Sequence, residues 1–168
     1  MTPFLTAEMV EPHLDWVRLT DALLEGHRAA RPELGDQFLH RGADTLLSRA
    51  AWIDGMGIAV KSVSVLPGNP AAGRPSVHGV MVVFDDATGE VEAVIDSALV
   101  TKWKTAGDSL LGARLLARPD SERLLIVGTG AVARSLVEAY RALFPEIGIA
   151  IWGRTAAKAE ALADEMGT

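Results

Sequence analysis

The chain has 168 residues, 49% of them hydrophobic, a formal net charge of −6 and no cysteine. These numbers allow one good core or two small ones and exclude disulfides and thiolate metal sites. They also argue against a nucleic-acid binder, because no basic cluster offsets the acidic balance. No stretch approaches the roughly 20 apolar residues of a membrane span. Met1–Glu8 lacks the basic segment and apolar core of a secretory signal, so a soluble cytoplasmic protein is the expectation.

Residues 4–30 read as helical, with Trp16, Leu19, Leu23 and Leu24 on one apolar face. Pro12 divides this region into a short helix and a longer one. His13 and His27 have no neighbours at ligand spacing and read as surface or capping residues. From Gln37 the period changes to two, which predicts strands over 37–41, 44–52, 57–66, 77–85 and 91–96. The 85–90 segment, Asp-Asp-Ala-Thr-Gly-Glu, reads as a hairpin turn. Short links of this kind imply a mostly antiparallel or mixed sheet.

In the 57–66 strand, Ala59, Lys61, Val63 and Val65 project to one side. Lys61 is therefore either an edge residue whose stem lies along the sheet or a functional cation held in a cleft. Leu66–Ser76 is a loop rich in Pro and Gly. Ser97–Arg118 reads as one long helix with small residues along its middle, Ala106, Gly107, Ser109, Gly112 and Ala113. An interior glycine costs a helix about 1 kcal/mol, so close approach of a backbone or a ligand is implied. Lys104 and Asp108 stand four apart and can pair on the surface, but Lys before Asp is the weaker order.

The most informative stretch is Arg123-Leu-Leu-Ile-Val-Gly-Thr-Gly-Ala-Val-Ala-Arg134, a strand running into a G-x-G-x-x-A turn and then a helix over 131–143. Gly128 permits the tight turn, Gly130 lets a pyrophosphate approach the backbone, and Ala133 lets helix lie on strand. The helix N-terminus would point free N–H groups at the phosphates. A second strand over 147–152 and a second helix over 155–166 complete a β-α-β-α unit. Where an NAD-preferring site has Asp or Glu on the ribose, this chain has Gly153, Arg154 and Thr155. Arg supplies a charged fork and Thr a hydroxyl for a 2′-phosphate, so NADP(H) is favoured over NAD(H).

The predicted fold class is α/β, a partial Rossmann-type dinucleotide-binding unit over 119–168 preceded by an α+β domain with a mixed sheet over 1–118. Two strands cannot bury both faces of a doubly wound sheet, so the expectation is a fragment of a longer protein.

Five blocks in order, Val60–Asn69, Gly73–Gly79, Lys104–Ser109, Leu116–Asp120 and Ile126–Ala131, resemble the ornithine cyclodeaminase/mu-crystallin family. The resemblance implies a first domain for substrate binding and dimerisation, a Rossmann domain for NAD(P), and a homodimer. It implies that Lys61 meets the substrate carboxylate and assists proton transfer, which makes it the candidate catalytic residue. Lys104 stands where the family usually has arginine, and it supplies charge without the fork. Arg49 and Asn69 complete the candidate substrate-binding set; Arg41 and Arg49 are the two candidates for the family's upstream carboxylate-binding arginine, and Arg49-Ala50 stands near where many members have Met-Pro. Thr105 matches a threonine near the cofactor. Gly128, Thr129, Gly130, Ala131 and Val132 match the pyrophosphate loop; Gly153, Arg154 and Thr155 match the 2′-phosphate site.

The implied activity is NAD(P)H-dependent reduction of a cyclic imino acid such as pyrroline-2-carboxylate. Ornithine cyclodeamination with NAD, amino acid dehydrogenation, and NADPH or small-ligand binding without turnover are the alternatives. The implied partner is a small amino or imino acid. Neither nucleic acid, membrane nor metal is expected.

Overall fold

The computed structural model describes residues 2–168. Backbone contacts divide them into two compact units. One takes the chain up to His13 together with Arg28–Thr101; the other takes Leu14–His27 together with Lys102–Thr168.

The first unit is built on a six-stranded sheet. Strands β2 (Glu33–Arg41), β3 (Asp44–Ile53), β4 (Gly57–Val65), β5 (Val77–Phe84) and β6 (Val91–Asp96) form an antiparallel meander. The strands form where Val, Ile, Leu and Thr recur at period two, because branched side chains fit a half-buried pleated surface. The sheet is mixed because β1 (Phe4–Leu5) adds in parallel to β6, with Val94 N–H donating to Pro3 C=O at 3.0 Å. The spatial order is β1-β6-β5-β4-β3-β2. Gly79 is required where β5 passes β4: a Cβ there would lie 2.1 Å from the Ser62 carbonyl oxygen.

Three local expectations change. Residues 4–30 are not all helical. Phe4–Leu5 is a strand, α1 spans only Ala7–Val10, and α2 spans Trp16–Arg28. A two-residue strand is fixed by its distant partner β6 and has no periodicity of its own. Strand β2 starts at Glu33, four residues early, because the ladder with β3 runs on to Glu33↔Trp52. The Pro/Gly loop folds Asn69–Ala72 into a 3₁₀ turn, which Gly73 closes at φ 69°.

In the second unit α2 packs on the part of α3 (Ser97–Leu116) that follows Thr101. Trp16 stacks on Trp103, ring centroids 3.9 Å apart and 20° between planes. Arg114 donates to Thr20 Oγ1 at 2.8 Å and to Asp21 Oδ1 at 2.5 Å. The small residue Gly107 makes room for α2: a Cβ on it would lie 2.7 Å from Leu19 Cδ2. Its neighbour is therefore a pair of leucines, Leu19 and Leu23.

Strands β7 (Arg123–Val127) and β8 (Gly148–Trp152) pair in parallel, and α4 (Ala131–Leu143) and α5 (Ala156–Met166) cover one face. Their core is Ile126, Ala133, Val137 and Leu162, with Leu124, Ile149 and Ile151 packed against it. The alternate residues Leu125, Val127 and Trp152 are exposed on the other face. A β-α-β-α unit of Rossmann type thus follows a sheet-bearing domain, an α/β fold.

Candidate functional site

The turn after β7 is built by glycine. Gly128 sits at φ 132°, a conformation side chains rarely adopt, and its N–H donates to Trp152 C=O at 2.8 Å. Gly130 is the N-cap of α4, and no side chain caps the helix there. A Cβ on either glycine would meet nothing within 4 Å. Thr129 is half-buried, and Ala131 and Val132 open the first helical turn. An uncapped helix start over open space, with no acidic residue in the first turn, suits a diphosphate.

Beside that turn lies a cleft of about 370 Å³ lined by Val127, Gly128, Thr129, Trp152, Gly153, Arg154, Thr155 and Lys158. Gly153 is needed because the two loops touch: a Cβ there would lie 2.7 Å from Thr129 Cγ2. Thr155 occupies the N-cap position of α5 but its hydroxyl makes no capping bond. Arg154 is exposed, and among the described residues no carboxylate pairs with it. Lys158, one turn into α5, was not among the expected residues. Its signal was the i+4 spacing from Arg154, which brings a second cation to the same lip. The cleft is lined by no acidic residue and by two cations.

A separate row of charge crosses the first unit. Arg49 on β3 lies opposite Asp36 on β2 and opposite Lys61 on β4. Side chains directly opposite share one face of a sheet, so the structure brings Arg49 and Lys61 together. The Arg49 guanidinium grips Asp36 with two bonds of 2.7 and 2.6 Å. The hydrogen bonds from Arg49 lower the Asp36 pKa, and those to Asp36 raise that of Arg49. Lys61 is half-buried and donates from Nζ to Thr101 Oγ1 at 2.8 Å; that hydroxyl donates in turn to Ser97 C=O at 2.7 Å. Asp36 and Thr101 were not among the expected residues, because only the strand register and the fold bring them to these cations.

Asn69 is used within its own loop: Nδ2 donates to Pro75 C=O at 3.0 Å. On α3, Lys104 ion-pairs with Asp108, and Thr105 is exposed beside it. Asp108 Oδ2 carries that pair, whereas Oδ1 is shut off from solvent with no hydrogen-bond partner among the described residues. No group of three His, Cys, Asp or Glu among the described residues could hold a metal ion, and no helix there is long and apolar enough to cross a membrane.

The chain is 46% identical over 160 residues to a Delta(1)-pyrroline-2-carboxylate reductase of Paracoccus denitrificans, covering 95% of this chain and 51% of that one. It therefore spans about half the length of that curated relative. Among solved structures, an archaeal alanine dehydrogenase dimer with bound NAD superposes at a TM-score of 0.85, with 26% identity over 99% of this chain and 53% of that one. A lysine cyclodeaminase, solved for its recognition of L-lysine, L-ornithine and L-2,4-diaminobutyric acid, superposes at 0.78 with 29% identity over 99% and 53%. The family model described as ornithine cyclodeaminase/mu-crystallin matches residues 50–168, which takes in Lys61, the Lys104–Asp108 pair and the whole glycine turn. With most of its length and each of those features inside the match, the chain belongs to the ornithine cyclodeaminase/mu-crystallin family.

Proposed function

We propose that the protein reduces a cyclic imino acid, a ketimine such as pyrroline-2-carboxylate, with a nicotinamide cofactor. The observation that carries this reading is the coexistence of a glycine-built phosphate turn with an Arg49–Lys61 cation pair in a chain 46% identical to a pyrroline-2-carboxylate reductase. The cofactor, when bound, supplies the hydride. Gly128 to Val132 hold its pyrophosphate through backbone N–H groups. Arg154 and Thr155, with Gly153 giving the loops room, hold a 2′-phosphate, and Lys158 adds charge. NADP(H) is therefore the favoured cofactor over NAD(H).

Lys61 and Arg49 hold the substrate carboxylate, and the loop closed by Asn69 shapes its surroundings. Fixing the carboxylate aims the adjoining C=N carbon, so the residues act chiefly by positioning. Thr101 accepts a hydrogen bond from Lys61, which fixes the ammonium where it can hold or deliver a proton at Nζ. We assign Thr105 to cofactor binding, as the family resemblance implies. We assign residues 1–118 to substrate binding and dimerisation and 119–168 to the first half of the nucleotide domain, in a cytoplasmic homodimer.

NADPH oxidation by the full-length protein with pyrroline-2-carboxylate, beside parallel NADH assays, tests the reading. Turnover faster with NADPH is the expected outcome. The 29% likeness to a lysine cyclodeaminase favours a second reading, loss of ammonia from ornithine with NAD. Ammonia release without any imine reduction would replace the first reading by the second.

A further inference from the structure

A carboxylate has two oxygens in one plane, and a planar fork matches it better than the point charge of a lysine. Lys61 has no fork. On the proposed reductase reading, the geometric grip on the substrate carboxylate therefore falls to Arg49. A guanidinium carries five N–H donors on two usable edges. The side-on edge is Nε–H with one N–H of Nη2; the end-on edge is the other N–H of Nη2 with one of Nη1.

Asp36 takes the first edge whole. Nε donates to Oδ1 at 2.7 Å and Nη2 to Oδ2 at 2.6 Å. Nη1 has no acceptor among the described residues. The arginine side chain is 62% exposed, so its end-on edge can be reached from solvent. For stability alone the pair is poorly placed, because an exposed ion pair contributes little and Asp is disfavoured in strands. Leu34, Asp36 and Phe38 alternate onto one face of β2, so the charge sits between two apolar residues. It sits there at the register position opposite Arg49, which is itself opposite Lys61.

We propose that Asp36 is a positioning residue for substrate binding: it holds Arg49 by the side-on edge and so presents the end-on edge to the substrate carboxylate, on the sheet face that bears Lys61. A guanidinium fixed in this way has little rotamer freedom left to lose when the ligand arrives. Asp36 also cancels the charge of Arg49, so the fork supplies geometry and Lys61 the net attraction.

Charge and position make opposite predictions for Asp36→Asn. Removing an anion tightens a carboxylate ligand if charge governs, whereas losing the clamp weakens it if Asp36 acts by position. The probe is pyrrole-2-carboxylate, a flat five-membered ring bearing a carboxylate. Its binding is measured by calorimetry on the full-length protein with NADPH present, beside turnover of pyrroline-2-carboxylate, with circular dichroism confirming that each variant folds. Asp36→Asn is expected to weaken binding about 3- to 10-fold, the scale of one ordinary hydrogen bond, and to raise KM while leaving kcat in place. Arg49→Lys, which keeps the charge and loses the fork, is expected to weaken binding by a similar factor. In an Arg49→Gln background, Asp36→Asn is expected to cost nothing further, which separates positioning through Arg49 from a general loss of structure. Unchanged or tighter binding in Asp36→Asn, wild-type affinity in Arg49→Lys, an equal loss with and without Arg49, or no binding by wild type would each overturn the proposal. The expected pattern in a protein that does not reduce pyrroline-2-carboxylate would support Asp36 and remove the reductase reading instead.

Discussion

Arg49 stands directly opposite Lys61 on adjoining strands, and Asp36 clamps the arginine from the far side. Two cations side by side repel, so the arrangement persists because Asp36 neutralises Arg49 and Thr101 anchors Lys61. On the proposed reading both meet one carboxylate. Lys61→Ala should lower kcat/KM for the imino acid by about 100-fold or more, within the range of a positioned proton-transfer group, and leave cofactor affinity unchanged. Arg49→Gln should act mainly on KM, raising it about tenfold, as loss of a charged hydrogen bond does. Steady-state kinetics with cofactor titrations separates the two. A Lys61→Ala enzyme with wild-type kcat/KM would remove Lys61 from the site.

The same clamp makes stability depend on acid. Asp36, Asp85, Asp120 and Glu165 all have lowered pKa values, first through hydrogen bonds to Arg49, Thr88, Arg118 and Arg134 respectively. A carboxyl with a lower pKa folded than unfolded contributes stability above its unfolded value, about 4 for Asp and Glu. That contribution disappears as pH falls through the depressed native value. The raised arginines stay charged throughout and add nothing in this range. The urea midpoint should therefore be level above about pH 5 and fall below about pH 4. Asp85→Asn should make the acid fall shallower. A midpoint that rises on acidification would contradict the assignment.

Cofactor choice should follow the two cations at the cleft. Arg154→Ser combined with Lys158→Ala should weaken NADPH by about 10- to 100-fold, the scale of charge-assisted bonds to a phosphate, with little effect on NADH. Fluorescence titration with both cofactors measures the ratio. An unchanged ratio would mean that the 2′-phosphate binds elsewhere. Gly128→Val, by contrast, should weaken both cofactors, since φ 132° is strained for a branched residue.

Two glycines of α3 should respond in opposite directions. An alanine methyl at Gly112 would meet nothing within 4 Å, so Gly112→Ala should stabilise by up to about 1 kcal/mol through helix propensity. Gly107 faces Leu19 and Leu23, so Gly107→Val should cost about 1–3 kcal/mol by overpacking. Thermal unfolding of the two variants checks the pair; destabilisation by Gly112→Ala would show that its site is not open.

What was legible in the sequence is what short-range chemistry determines. The turn from Gly128 to Val132, the limits of α4 and the strand β6 need only local glycines and period-two alternation, and each lies where the residues imply. The arrangement of Phe4–Leu5 beside β6, the extension of β2 to Glu33 and the Asp36–Arg49 clamp depend on register between distant segments. Gly107 shows the same divide. Its smallness was readable, but that leucines of α2 fill the space was not, because nothing local names a partner so far away along the chain. Lys158 was readable in principle from its spacing to Arg154.

Trp152 ends β8 with its indole exposed and lines the cleft that Gly153 and Arg154 share. The stacked Trp16 and Trp103 are buried within the helices. The protein thus carries its own optical gauge: an emitter at the mouth of that cleft, sensitive to whatever enters, beside a sheltered pair and the exposed Trp52 of β3, which does not line the cleft. Replacing Trp152 by phenylalanine would silence the first and leave the others, so occupancy of the cleft is readable without a label and before any substrate is known.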